Sequence, residues 1–430
     1  MNPWTNAARR LLLGEILGLR ERLLQLRPFS LQMPMVSAAR ISQESQMAID
    51  SHLACSKTEL LRDLTRYQGW FEGEVGRMVC PSEAQRKLNF LRLKFQALLS
   101  ELDIFADVVS QRSEHDFGVW VAGLDALAED GLRVDNAPYV PPPLVTYLDR
   151  GQGAAIRRVR TRLPGGKHNP VAVIRVPRER MVGMGIGSSL IHEVGHQAIA
   201  LLGVLPELEN VLETMGRSRL PGSKVYEVWK RWLSEILADF WSVSKLGIAS
   251  TLGLMSVLSL PMPLMFLAGK EDPHPFPWIR GHVSIAMGKV MFPDPQWDML
   301  GKIWWGLYPP SGQSSAVKQR LLPLLQTVDT LAAVIAGHRP KSFGGKTLRE
   351  ALNPSERSPV KLRRWALLWK KGTKVPCTTS PTGWVAMLGQ ARWDGVLSVG
   401  EEAKILRGLL TCWATRGAHH GCNVRTVEKR

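Results

Sequence analysis

The order of apolar and polar positions divides the chain into recognisable elements. Downstream of Pro81, the residues Leu88, Leu91, Phe95, Leu98, Leu102, Phe105 and Val109 recur at alternating steps of three and four. That spacing predicts a long amphipathic helix whose seam faces a core or a coiled-coil-like neighbour. Such a stripe is packing, not a binding box, and with the runs around it residues 1–135 read as an N-terminal helical region. The proline-rich NAPYVPPPLVTYLDRGQG, residues 136–153, marks a boundary. Next, AAIRRVRTRL and NPVAVIRVP flank the turn-rich PGGKHN and predict a β-hairpin. Gly183, Gly185 and Gly187 form a flexible lead into another helix, for which Ser188 or Ser189 serves as N-cap. VYEVWKRWLSEILADFWSVSKLG, residues 225–247, predicts one more helical stretch. The expected fold is therefore mainly α with a small β element, an α+β arrangement. Its regions are 1–135, a core over 136–310, and a C-terminal helical region with a basic tail over 311–430.

Composition changes this picture in three places. At 430 residues and 45% hydrophobic, the chain is globular and large enough for more than one core. A formal charge of +17 makes the surface basic, but no basic repeat interleaved with aromatics accompanies it, which argues against nucleic acid as the partner. Cys55, Cys80, Cys377, Cys412 and Cys422 are odd in number and form no CxxC pair, which suits a reducing compartment. Charges at Glu15, Arg20, Glu21 and Arg22 interrupt any apolar signal segment, so a cytoplasmic protein is expected. The alternative is membrane association through residues 246–269, which carry no charge over a bilayer-spanning length. Pro261 and Pro263 interrupt that run and favour a buried helix of about ten to fifteen residues followed by an irregular segment. Oligomeric state is left open.

The candidate chemistry sits in SSLIHEVGHQAIALLG, residues 188–203. His192 and His196 are four residues apart, so on a helix both imidazoles face the same side and can meet one metal ion. Glu193 beside them is placed to act on a water at that ion. A catalytic zinc takes three protein ligands and keeps a fourth position for water, so a third ligand is required. The HExxHxxGxxH arrangement is excluded, because positions 199 and 202 hold Ile199 and Leu202. Glu235, in SEILAD on the predicted helix 225–247, is the better third ligand. Asp239, one turn later, can accept the remaining N–H of a ligating histidine and fix its orientation. The glycines before the motif match neither GxGxxG nor a GK[ST] phosphate loop. Cys412, His419, His420 and Cys422 fit no common zinc spacing. Trp229, Trp232 and Trp241 read as an apolar wall behind Glu235.

HExxH at His192 to His196 followed by ExxxD at Glu235 to Asp239 resembles the gluzincins, the thermolysin-like branch of zinc metallopeptidases. HPFPWIR, from His274 to Arg280, is similar to the HPxxxxR segment that follows ExxxD in M48-type peptidases. The resemblance implies a zincin-like core, a Zn²⁺ cofactor, a peptide or protein substrate, and an edge strand before the motif helix that binds extended peptide. It implies hydrolysis by a metal-activated water with Glu193 as general base, and His274 or Arg280 as the oxyanion donor. His282 and Tyr308 are further donor candidates. Two other functions remain: a catalytically inactive zinc-binding interaction or regulatory protein, and a basic nucleic-acid-associated protein.

Overall fold

In the computed structural model of the chain, the stripe beginning at Leu88 lies on the helix Pro81–Ser110. Pro81 occupies its first turn, where a missing N–H leaves no hydrogen bond unmade. Leu88, Leu91, Phe95, Leu98, Phe105 and Val109 are buried and Leu102 is partly buried, so the spacing reads out the core face directly. They share one apolar cluster with Leu12, Ile16 and Leu19 of the helix Pro3–Gln25 and with Ile49, Leu60 and Leu64 of the helix Gln43–Glu72. Ser42 caps the latter, its side chain accepting the Ser45 N–H.

The structure describes residues 3–150, 154–178, 183–218, 224–267, 272–352, 354–372 and 380–418. The chain falls into two compact units, Met1–Val119 with Pro143–Tyr147 and Arg157–Val173, and Trp120–Pro142 with Leu148–Ile156 and Ile174–Arg430. The C-terminal region thus belongs to the same unit as the HEVGH segment. The molecule is mostly helical with one three-stranded sheet, as the apolar periodicities predict.

The sheet contains β1 (Leu144–Asp149), β2 (Ala155–Arg157) and β3 (Ala172–Pro177) in the order β1-β3-β2. The hairpin around PGGKHN is present: Arg162 and His168 bridge antiparallel, and Leu163 N–H donates to the Lys167 carbonyl at 2.8 Å. Strand β3, the last before the motif helix in sequence, is the central strand, while its hairpin partner β2 is an edge. The neighbours of β3 occupy both of its hydrogen-bonding sides, leaving β1 and β2 as the edges.

Two helix boundaries also differ from expectation. The motif helix spans Met184–Leu202, so Gly185 and Gly187 are helical and neither Ser188 nor Ser189 is its N-cap. The physical reason is close packing: a Cβ on Gly187 would stand 2.8 Å from Val385 Cγ1. Ser188 instead donates its hydroxyl to the Ser250 carbonyl at 2.9 Å, tying the motif helix to the helix Ile248–Leu258. Gly183 offers no side-chain cap. Glu402, on the helix Val399–Ala418, accepts the Met184 N–H and pairs with Arg392 at 3.1 Å. The stretch 225–247 forms two helices, Val225–Arg231 and Leu233–Leu246. They meet at Trp232, whose N–H turns back to the Trp229 carbonyl, burying both indoles edge to face at 5.8 Å.

The uncharged stretch contains the 11-residue helix Ile248–Leu258, about 16 Å long at 1.5 Å per residue, followed by the one-turn Met262–Met265. Its last two residues, 268–269, lie outside the described residues, as does the basic tail beyond 418. Among the described residues one helix, Ser315–Gly337, is long and apolar enough to cross a membrane, by length and composition only.

Candidate metal centre

The candidate centre is built where the motif helix meets the helix Leu233–Leu246. Gly195, inside HEVGH, sets that approach. A Cβ there would lie 2.9 Å from the Ala238 carbonyl oxygen and 3.0 Å from Ala238 Cα and Trp241 Cβ. Any side chain at this position would force the helices apart. Trp241, buried behind the contact, anchors its indole N–H on the Gly131 carbonyl at 3.0 Å.

Across this contact the three expected ligands come together. His192 Nε2 lies 3.2 Å from Glu235 Oε2, and His196 Nε2 lies 3.4 Å from Glu235 Oε1. One ligand atom from each of the three falls within 4.8 Å of the others, close enough to share an ion. Glu235 Oε2 is buried and has no aligned hydrogen bond, although imidazole nitrogens of His192 and His274 stand 3.2 and 3.1 Å away. A buried carboxylate oxygen that imidazole nitrogens approach without an aligned hydrogen bond is a place where a cation fits. Two imidazoles with one carboxylate form a donor set that zinc accepts. Burial opposes the charge on Glu235, but His192, His196 and His274 outweigh it and hold the carboxyl far below the usual range.

Asp239 stands behind His192, with Oδ1 2.8 Å from Nδ1, so Nε2 is the nitrogen left facing Glu235. Arg280, on the helix Pro277–Met291, is buried and grips Asp239 with both arms of its guanidinium. Nε donates to Oδ2 at 2.7 Å and Nη2 to Oδ1 at 2.9 Å, while Nη2 is 3.7 Å from Glu235 Oε2. Despite its burial, Asp239 is held down to about 2 by Arg280 and His192. Against its own burial, His192 is lifted to about 9, chiefly by Asp239. The fork of Arg280 is thereby committed to Asp239, whereas its expected place was beside the reacting carbonyl.

His274 occupies the loop ahead of that helix, half exposed, with Nε2 facing Glu235. Its Nδ1 lies 2.8 Å from Asp272 Oδ1, and the same oxygen accepts the His274 backbone N–H at 3.0 Å. Asp272 is the residue that sequence reading missed. Its signal was the Asp-x-His spacing, because an Asp two residues upstream of a histidine can close a local turn onto it. His282 packs instead on Trp278, with ring centroids 4.4 Å apart, and Tyr308 packs on Trp304 at 4.8 Å. Neither is among the groups that meet Glu235. Glu193 is buried beside the cluster, and burial raises its pKa against the opposing fields of His192 and His196. Cys412 is buried and in no disulfide, and its suggested companions His419, His420 and Cys422 lie outside the described residues.

No family model matches the chain, and neither a curated protein nor a solved structure gives a match.

Proposed function

We propose that this chain is a zinc-dependent peptidase of gluzincin type, with His192, His196 and Glu235 holding the ion. The observation that carries the reading is the pairing of both imidazole Nε2 atoms with the two oxygens of one buried carboxylate, next to the buried Glu193. Bound there, Zn²⁺ would act as a Lewis acid and make a water acidic near neutral pH. Glu193, its basicity raised by burial, takes the proton from that water and passes it to the leaving nitrogen of a peptide. Asp239, clamped by Arg280, keeps the His192 Nδ1 proton in place so that Nε2 stays available. His274, oriented by Asp272, donates toward the oxygen of the attacked carbonyl.

A second reading is favoured by His274. Its Nε2 stands 3.1 Å from Glu235 Oε2, and if it joined the ligand set four protein groups would close the site, as in structural zinc. Under that reading the protein uses zinc to organise a partner-binding surface. The test measures zinc per chain and peptide hydrolysis in wild type and Glu193→Gln. The peptidase reading expects about one zinc in both and a fall in turnover of about 10³-fold in the variant. Zinc in both without metal-dependent hydrolysis in either would move the reading to the structural site. A wild type that neither retains zinc without chelators nor takes it up would end both.

A further inference from the structure

A second constellation lies at the far end of the helix that carries Glu235. A cavity of about 350 Å³ opens there, walled in part by Asp130, Lys245, Arg357, Trp365, Ser380 and Thr382. Lys245 Nζ donates to the Arg133 carbonyl. Arg357 Nε donates to the Lys245 carbonyl at 3.1 Å, and its Nη2 donates to Ser380 Oγ at 2.8 Å and Thr382 Oγ1 at 3.0 Å. Every one of these acceptors is neutral. Among the described residues neither cation has a carboxylate oxygen within the 4.0 Å of an ion pair.

The nearby carboxylates are engaged elsewhere. Asp130 Oδ2 accepts the Thr382 N–H at 2.9 Å and its hydroxyl at 2.6 Å, and Glu356 pairs with Lys361 at 2.7 Å. Asp135 stands exposed at the rim. Partly buried cations without a counter-ion are costly, and two side by side repel each other. Burial and the charge of Arg357, opposed by the fields of Asp130 and Asp135, bring the Lys245 amine down to about 8. The lining holds Asp130, Asp135 and Glu356 against Arg133, Lys245 and Arg357, yet none of the three carboxylates pairs directly with Lys245 or Arg357, which face the space beside two hydroxyls and an indole.

We infer that this cavity binds a small polyvalent organic anion, a phosphate ester or a polycarboxylate, between Lys245 and Arg357 and against Trp365. The inference is independent of the metal centre. It does place the two sites on one rod, since Glu235 and Lys245 are ten residues, or about 15 Å, apart along the same helix.

The test is thermal unfolding of the full chain in phosphate-free, low-salt buffer, with pyrophosphate or citrate at millimolar concentration against chloride of equal ionic strength. At least one anion is expected to raise Tm by about 2–4 °C beyond chloride. A shift with pyrophosphate alone assigns the phosphate class, and one with citrate alone the polycarboxylate class. Lys245→Met is expected to lose the shift while its anion-free Tm equals or exceeds that of wild type, because an unmatched cation has been removed. A second measurement needs no variant: acylation of Lys245, followed by mass spectrometry, should slow several-fold when the anion is present. Tm no higher than in chloride with both anions, an undiminished shift in Lys245→Met, or unchanged acylation of Lys245 would each overturn the proposal.

Discussion

The helices Pro81–Ser110 and Leu233–Leu246 both bury one face, yet they use burial differently. The first buries Leu88, Leu91, Phe95, Leu98, Phe105 and Val109 with a single carboxylate, Glu101. Glu101 is met by His52 Nε2 at 3.0 Å and by the Gly165 N–H at 3.2 Å, so it fastens the hairpin turn to the helix. The second buries two carboxylates one turn apart, Glu235 and Asp239, and gathers His192, His196, His274 and Arg280 around them. A lone buried acid with two partners is an architectural fastening. Two acids surrounded by imidazoles and a guanidinium hold more charge than fastening requires, which supports the proposed metal centre.

The comparison breaks most visibly in paired substitutions. His196→Ala should abolish zinc uptake, from about one ion per chain to none by elemental analysis, while preserving the N-terminal core. Leu88→Ala should do the reverse, costing about 3 kcal/mol in urea unfolding and leaving zinc content unchanged. Zinc retained in the first variant or lost in a folded second one would erase the distinction.

Arg280→Lys probes the clamp on Asp239. Lysine cannot supply two parallel hydrogen bonds, so competition with a chromophoric chelator should reveal a loss of zinc affinity of about 10–100-fold. Equal affinities would show that the clamp is incidental.

The buried imidazole of His282 sharpens the contrast through pH. Burial brings it down to about 4, below its usual value, so the unfolded chain binds this proton more readily than the folded one. Its stabilising contribution is complete above about pH 6.5 and is lost as pH falls through about 4, a total of about 3 kcal/mol. Urea unfolding of His282→Gln should therefore lack that portion of the acid-side decline, and an identical profile would count against it.

The smallest effect opposes two glycines. Gly195→Ala should cost about 1–2 kcal/mol by overpacking against Ala238 and Trp241. Gly69→Ala, where nothing lies within 4 Å of the added Cβ, should instead gain about 0.5 kcal/mol from helix propensity. Chemical denaturation of the two variants reads the signs directly.

Much of this was legible from spacing because the relevant contacts are periodic. The seam from Leu88 to Val109 and the i,i+4 pairs His192 with His196 and Glu235 with Asp239 depend only on which residues share a helical face. What escaped depends on tertiary packing. Gly185 and Gly187 read as a loop from their low helix propensity, yet both are helical, and Gly187 packs so closely on Val385 that a Cβ there would stand 2.8 Å from Cγ1. Strand β3 read as a hairpin partner, but its central place comes from β1, which no local pattern links to it. Arg280 was found from its motif, and its commitment to Asp239 followed only from the crossing of two helices.

The cap on the motif helix has a consequence in time. Translation delivers His192, His196 and Glu235 well before Glu402, the residue that accepts the first N–H of the helix carrying the two histidines. At about 5–20 residues per second, the roughly 170 residues between Glu235 and Glu402 take about 8–35 s to synthesise. During that interval the nascent chain carries all three candidate ligands, two of them, His192 and His196, on a helix whose start is still uncapped. The motif helix therefore receives its cap only once Glu402 has been made and the helix Val399–Ala418 brings that carboxylate to its first turn.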